Sequence, residues 1–350
     1  MKRSTIFCLL FLCAGVFAWQ LNLFGMQTCL GFAGAGIMMA IPAVVAPFPV
    51  DSELTSIAVA YRNERLIADD VLPRVPVGAQ NFKYRKYALA DGFTIPQTTV
   101  GRTGTPNQVE FGFSEEDGST NDEALDEPVP NADIENAPAG YDPLARATLS
   151  VIDLVLLARE FRTASLVFNP ANFATGNKVT HTGASQYSHA DSDPIKDLLT
   201  RMDLCVMRPN KIVMGQAVYT VLRQHPKVVK ATHGNSGDSG VAAREAIAEL
   251  LEIEQLLVGS GWYNTAKKGQ SPVMARIWGK HLLMFHQDAM ADTRGRISFG
   301  YTAQFGSRIA GKNPDPDIGM RGGIKVRAGE SVKEFITAND LGYLITNVIA

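Results

Sequence analysis

The sequence predicts an α+β fold, on three observations. One apolar-striped segment is long enough for a helix of some 25 residues. A central stretch alternates short helices with short buried strands. The last 80 residues are broken into β-like runs by Gly, Asn, Asp and Pro.

The chain has 350 residues, 46% of them apolar, enough for one large domain or two intertwined ones. Charged residues make up 19% and the net charge is -2, which argues against a dedicated nucleic-acid binder with its strong basic excess. The four cysteines, Cys8, Cys13, Cys29 and Cys205, form no C-x-x-C pair. They are too few and too badly spaced for a disulfide framework or a zinc site.

Residues 1–46 differ from the rest. No charge occurs between Ser4 and Val50. Lys2 and Arg3 precede the apolar run Ile6 to Phe17, and Val16-Phe17-Ala18 fits a signal-peptidase site. Leu21 to Val45 would also pass as a membrane span. From Asp51 the sequence has ordinary soluble character, and Met38 and Met39 precede Ala40-Ile41-Pro42. The expectation is a translation start near Met39, with a genuine export or anchoring segment as the alternative.

Leu54, Ile57, Ala58 and Tyr61 recur at helical spacing, and Pro73 and Pro76 end that pattern. Phe82 to Tyr87 begins with strand alternation, and a second alternating run spans Val109 to Phe113. Together they predict a long two-stranded excursion, marginal alone and needing support from the fold or from a neighbouring subunit. Eight acidic residues lie between Glu115 and Asp133, and no Lys or Arg occurs between Arg102 and Arg146. This run reads either as a solvated loop or as an acidic surface that meets a basic one on a neighbour. The candidate contact residues are Lys83, Arg85, Lys86 and Arg102 on the basic side. On the acidic side they are Glu115, Glu116, Asp117, Asp122 and Glu123.

Pro143 to Phe168 is the long helix, capped by Asp142 with Pro143 in its first turn. Its expected apolar stripe is Val151, Leu154, Val155, Ala158, Phe161 and Val167, with Arg159, Glu160 and Arg162 off the stripe. At roughly 40 Å it would act as a strut. Residues 170–192 read as a polar loop. Helices are expected over Pro194–Leu204, Ala217–Val229 and Val241–Ile253, and strands over Lys211–Met214 and Glu254–Val258. Later strands are expected over Ala275–Trp278, His281–His286, Ile297–Phe305, Ile324–Arg327 and Tyr343–Val348.

No catalytic constellation emerges. Gly237-Asp238-Ser239-Gly240 resembles a serine-protease motif but runs into Val241 and a helix-forming stretch, so it reads as a polar loop. No G-x-S-x-G elbow and no phosphate loop is present. His181 and His189, with Asp191 and Asp193, match no ligand spacing and read as a surface loop. His225 reads as a helix-end residue and His281 as a packed one. No cofactor or metal site is expected.

Several segments carry a resemblance. They are Ile67-Ala68-Asp69-Asp70-Val71-Leu72-Pro73-Arg74-Val75-Pro76-Val77, Phe82-Lys83-Tyr84-Arg85-Lys86-Tyr87, Ala137-Pro138-Ala139-Gly140-Tyr141-Asp142-Pro143, Arg208-Pro209-Asn210 and Leu222-Arg223-Gln224-His225-Pro226-Lys227. Gly322-Gly323-Ile324-Lys325-Val326 and Gly342-Tyr343 complete the set. From about residue 47 to 350 the chain resembles major capsid proteins of tailed bacteriophages with the Hong Kong 97-type fold. The resemblance implies an N-terminal arm (47–78), an extended loop (79–118) and a peripheral domain with a spine helix (119–192). It further implies an axial domain (193–299) and a closing peripheral β region (300–350). The implied function is non-enzymatic: self-assembly of hexamers and pentamers into an icosahedral head around double-stranded DNA. The implied partners are other copies of the chain, with scaffold, portal and decoration proteins and non-specific contact with packaged DNA. The implied site is the virion, with assembly in the host cytoplasm. An encapsulin-like cellular compartment is the alternative within the fold. An exported or membrane-anchored β-rich protein is the alternative outside it.

Overall fold

Asp51 caps the helix Ser52–Ala60, its carboxylate accepting from the backbone N–H groups of Glu53 and Leu54. The computed structural model describes residues 48–87, 94–109, 113–233, 240–288 and 298–350; side chains of 85–87 and 113–114 are not described. The apolar segment 1–46, the Met39 start and Gly237-Asp238-Ser239 lie outside these residues. No helix among the described residues is long and apolar enough to cross a membrane.

Helix α1 (Ser52–Ala60) buries Leu54 and Ala58 and leads into the short α2 (Ala68–Val71) and strand β1 (Arg74–Val77). Strands β2 (Asn81–Tyr87) and β3 (Phe113–Ser119) form an antiparallel hairpin. β3 runs through Thr120 into β4 (Asn121–Pro130), followed by α3 (Asn131–Glu135). The acidic run is therefore mostly strand. Its carboxylates stand on solvent-facing sides or meet cations on neighbouring elements, so charge does not prevent pairing.

The strut is α4 (Pro143–Val167), 25 residues long, with Asp142 accepting from the Leu144 N–H at its start. Its buried side is Ala147, Thr148, Val151, Ile152, Val155, Leu156, Arg159, Glu160, Thr163, Ala164 and Val167. That face is rotated from the expected one: Leu154 and Phe161 are exposed, while Arg159 and Glu160 are buried. The N-terminal half of α4 packs with α1, and with Ala310, Val326 and Ala328 of a four-stranded sheet, order β1-β11-β12-β4. In this sheet β11 (Gly300–Asp315) and β12 (Gly323–Ile336) form a long hairpin, with a register shift between Phe305 and Ile309.

The second sheet has the order β5-β13-β10-β6-β7. Its members are β5 (Lys178–Thr180), β6 (Lys211–Gly215), β7 (Gln255–Gly259), β10 (Leu282–Phe285) and β13 (Gly342–Thr346). It draws the edge strand β5 and its neighbour β13 from beyond the 193–299 segment. Alternate residues serve two cores. Ile212, Met214, Leu282 and Met284 pack with α5 (Pro194–Asp203), α6 (Gln216–Gln224), α7 (Pro226–His233) and α8 (Arg244–Leu250). Val213, Leu283 and Phe285 pack with Ala164 and Val167 at the end of α4. Burial on both faces explains why these strands read as continuous apolar runs.

The single helix expected over Ala217–Val229 is two helices. His225 is extended (ψ 128) and Pro226 starts the second helix, as the restriction on residues before proline requires. The helix expected over Val241–Ile253 spans only Arg244–Leu250. His181 is not on a surface loop. It is 3% exposed, with Nε2 3.3 Å from Asp197.

Candidate assembly interface

The hairpin β2–β3 leaves the body at a built platform. Phe82 meets Phe335 of β12 edge-on and Tyr84 packs tilted against it, ring centroids 5.8 and 5.3 Å apart. The platform needs Gly118: a Cβ there would lie 2.9 Å from the Phe82 ring and 3.3 Å from Phe335. The Tyr84 hydroxyl donates to Glu116 at 2.6 Å, and burial first, then Glu116, raises its pKa to about 12.

Beneath the platform a charged network ties the arm to the strut and the sheet. Glu160 accepts from the backbone N–H groups of Ile67 (3.0 Å) and Ala68 (2.7 Å), and from the indole of Trp278. Burial pushes its carboxyl up, and these three donors only partly offset that. Arg159 donates to Asp69 and to the hydroxyl of Thr302. Arg74 bridges Asp69 and Glu330, and Arg308 also donates to Glu330 while reaching the carbonyls of Ala58 and Tyr61. Burial alone would raise the Glu330 carboxyl. Arg74 and then Arg308 overcome it and hold the group below its usual value. A cleft of 630 Å³ lies over this network, lined among others by Arg62, Asp69, Arg74, Arg159 and Arg308.

Lys83 is in register with Asp117, and its ammonium lies 3.7 Å from Glu115 of the same chain. Arg85 is in register with Glu115 and Lys86 with Ser114. Glu115–Asp117 are part of the hairpin's second strand, so this part of the acidic run lies beside the basic strand of its own chain. Asp122 accepts from the Gln80 amide at 3.1 Å, and Glu123 pairs with Arg162 of the strut at 3.3 Å. Arg102 stands on the exposed segment 94–109 and forms no ion pair among the described residues. In that segment Ile95 is 94% exposed, and Val100 and Val109 are exposed too. Sequence reasoning missed Asp69, Arg159, Glu160 and Glu330. For Arg159 and Glu160 the one available signal was their place four residues after the apolar Val155 and Leu156 on the same helix.

No group of three or more His, Cys, Asp or Glu able to hold a metal occurs among the described residues. The hairpin is anchored on Phe335, and on the segment 94–109 the apolar residues Ile95, Val100 and Val109 are exposed.

No family model matches the sequence. The chain is 52% identical over 305 residues to the major capsid protein of Pseudomonas phage JBD67, covering 87% of this chain and 99% of that protein. A crystal structure of a phage-related protein from Bordetella bronchiseptica RB50 superposes with a TM-score of 0.67 at 23% identity, covering 86% of this chain and 98% of the other. A capsid structure of cyanophage P-SCSP1u gives 0.52 at 13% identity, covering 82% and 89%. On sequence and fold together, the chain belongs to the phage major capsid proteins with the Hong Kong 97-type fold.

Proposed function

We propose that copies of this chain close into an icosahedral head around the double-stranded DNA of a tailed phage or prophage, assembled in the host cytoplasm. Hexamers and pentamers are the building units, and scaffold and portal proteins guide closure. The chain acts by contact alone and takes no catalytic role. The observation that carries this reading is the projecting hairpin and its loop 94–109, every residue of which is exposed. An isolated two-stranded ribbon is marginal in water, and the exposed Ile95, Val100 and Val109 of the segment beside it gain cover from another copy. The hairpin's cations Lys83, Arg85, Lys86 and Arg102 and the carboxylates Glu115, Glu116, Asp117, Asp122 and Glu123 lie at this inter-copy contact. Electron microscopy of particles purified with nuclease protection tests the reading. Closed shells with protected double-stranded DNA support it. Shells filled with protein cargo would instead place the chain among cellular compartments, and open aggregates would remove the reading.

A further inference from the structure

The chain segregates its charge. Between Arg102 and Arg146 it has no cation, and between Glu254 and Asp288 it has no carboxylate but four Lys or Arg. The second block contains a small hairpin, β8 (Trp262–Asn264) and β9 (Met274–Arg276). Its turn is pre-ordered: Asn264 Oδ1 accepts from the N–H groups of Ala266 and Val273, and Thr265 N–H donates to the Val273 carbonyl at 2.9 Å. One face of the hairpin is seated on the strut, Tyr263 lying 4.9 Å from Phe161. By strand alternation Trp262, Met274 and Arg276 face the other way. Trp262 is 47% exposed and Met274 55%, the Arg276 guanidinium lies 4.3 Å over the Trp262 ring, and Val273 beside them is exposed. Lys267 and Lys268 stand exposed on the turn with no ion pair among the described residues.

We infer that this hairpin docks on the acidic strands of a second copy, with Trp262 and Met274 as its apolar centre and Lys267, Lys268 and Arg276 as its basic rim. Two observations select the occupant. The β3–β4 run carries the complementary charge. Asp117, opposite Lys83 in register, forms no ion pair among the described residues, Asp122 accepts from the Gln80 amide and forms none either, and Leu125 is 44% exposed. The hairpin's face is also half apolar. A DNA backbone offers nothing to cover Trp262, Val273 and Met274, whereas a protein strand bearing Leu125 does. The contact joins two different patches, so it is heterologous and propagates around a ring or shell. It rests on the shell reading above and adds to it a pair of complementary patches.

A zero-length carbodiimide crosslinker applied to assembled wild-type shells tests the contact directly. The expected result is a covalent dimer whose peptides join Lys267 or Lys268 to Asp117, Asp122 or Glu127. Shells that form but give no such dimer overturn the inference and leave the shell reading intact. In a second arm, Lys267→Glu with Lys268→Glu raises the protein concentration needed for DNA-free assembly by about tenfold. Adding Asp117→Lys and Asp122→Lys to the same chain restores it. Reversal that leaves DNA-free assembly unchanged but lowers the DNA content of particles would assign the hairpin to the genome instead. Failure of the charge swap to rescue a folded variant would remove the acidic strands as the partner.

Discussion

The indole N–H of Trp278 donates to Glu160 Oε1 at 2.5 Å, joining the strut helix to a tryptophan 118 residues away in the sequence. The same carboxylate holds the backbone N–H groups of Ile67 and Ala68, so one buried side chain fixes both the arm and the second sheet to the strut. Glu160→Ala leaves three donors without their acceptor. It is expected to cost the unassembled subunit about 3 kcal/mol or more, read as a lower denaturant midpoint at unchanged slope. Glu160→Gln keeps one acceptor and should cost less.

Trp278 reaches Glu160 because Gly259 has no side chain; a Cβ there would lie 2.0 Å from the indole Cδ1. Gly259→Ala is expected to destabilise by about 3 kcal/mol through overpacking. Because Trp278 must move, the loss should overlap with that of Glu160→Ala, and a double-mutant cycle should show sub-additive costs. Fully additive costs would mean that the two sites do not communicate.

The network has a defined acid response. Glu330 is 1% exposed in its side chain and is more acidic in the folded chain than its ordinary value of 4.5. A folded chain that binds fewer protons gains stability as pH rises. The Glu330 contribution is therefore complete above about pH 4.5 and is lost as pH falls through the lower folded value. Glu160 has the opposite sign. Its raised carboxyl favours the folded chain below pH 4.5, an advantage lost as pH rises through its folded value. Glu330→Gln should flatten the acid limb of the stability curve and cost about 3–5 kcal/mol at neutral pH, since Arg74 and Arg308 lose their counter-charge. A variant whose acid limb matches the wild type would contradict this.

At the outer hairpin, reversing Arg85 and Lys86 to Glu is expected to impair assembly while the subunit stays folded. Raised salt should weaken wild-type assembly in the same direction, because exposed charges are screened beyond about 8–10 Å near physiological ionic strength. A single exposed pair such as Lys83–Glu115 is worth only about 0–1 kcal/mol. The effect arises because a shell repeats each contact many times. Normal assembly of the double reversal across the salt range would leave the basic strand as a solvated face.

Much of this fold was legible because its signals are local. Asp142-Pro143 marks the start of the strut, and buried β6 and β7 are short apolar runs with clear ends. What was not legible depends on distant partners. Arg159 and Glu160 look like solvent-facing residues until the arm's backbone and Trp278 arrive to bind them. The acidic run looks like a loop because strand propensity disfavours Asp and Glu. Its pairing with β2 and β12, with Arg327 gripping Asp126 at 2.6 Å, overrides that preference. The break at His225 was visible in Pro226, yet the apolar spacing across it outweighed the proline. At the candidate interface, the sequence does not show that Lys83 and Glu115 belong to paired strands of one chain, with Lys83 opposite Asp117 in register and its ammonium 3.7 Å from Glu115.

Light scattering of the purified chain, alone and with any scaffold protein, measures shell building most directly. The expected result is a sharp concentration-dependent transition from subunits or small capsomers to closed particles of megadalton mass. A stable monomer or dimer under every assembly condition would contradict it.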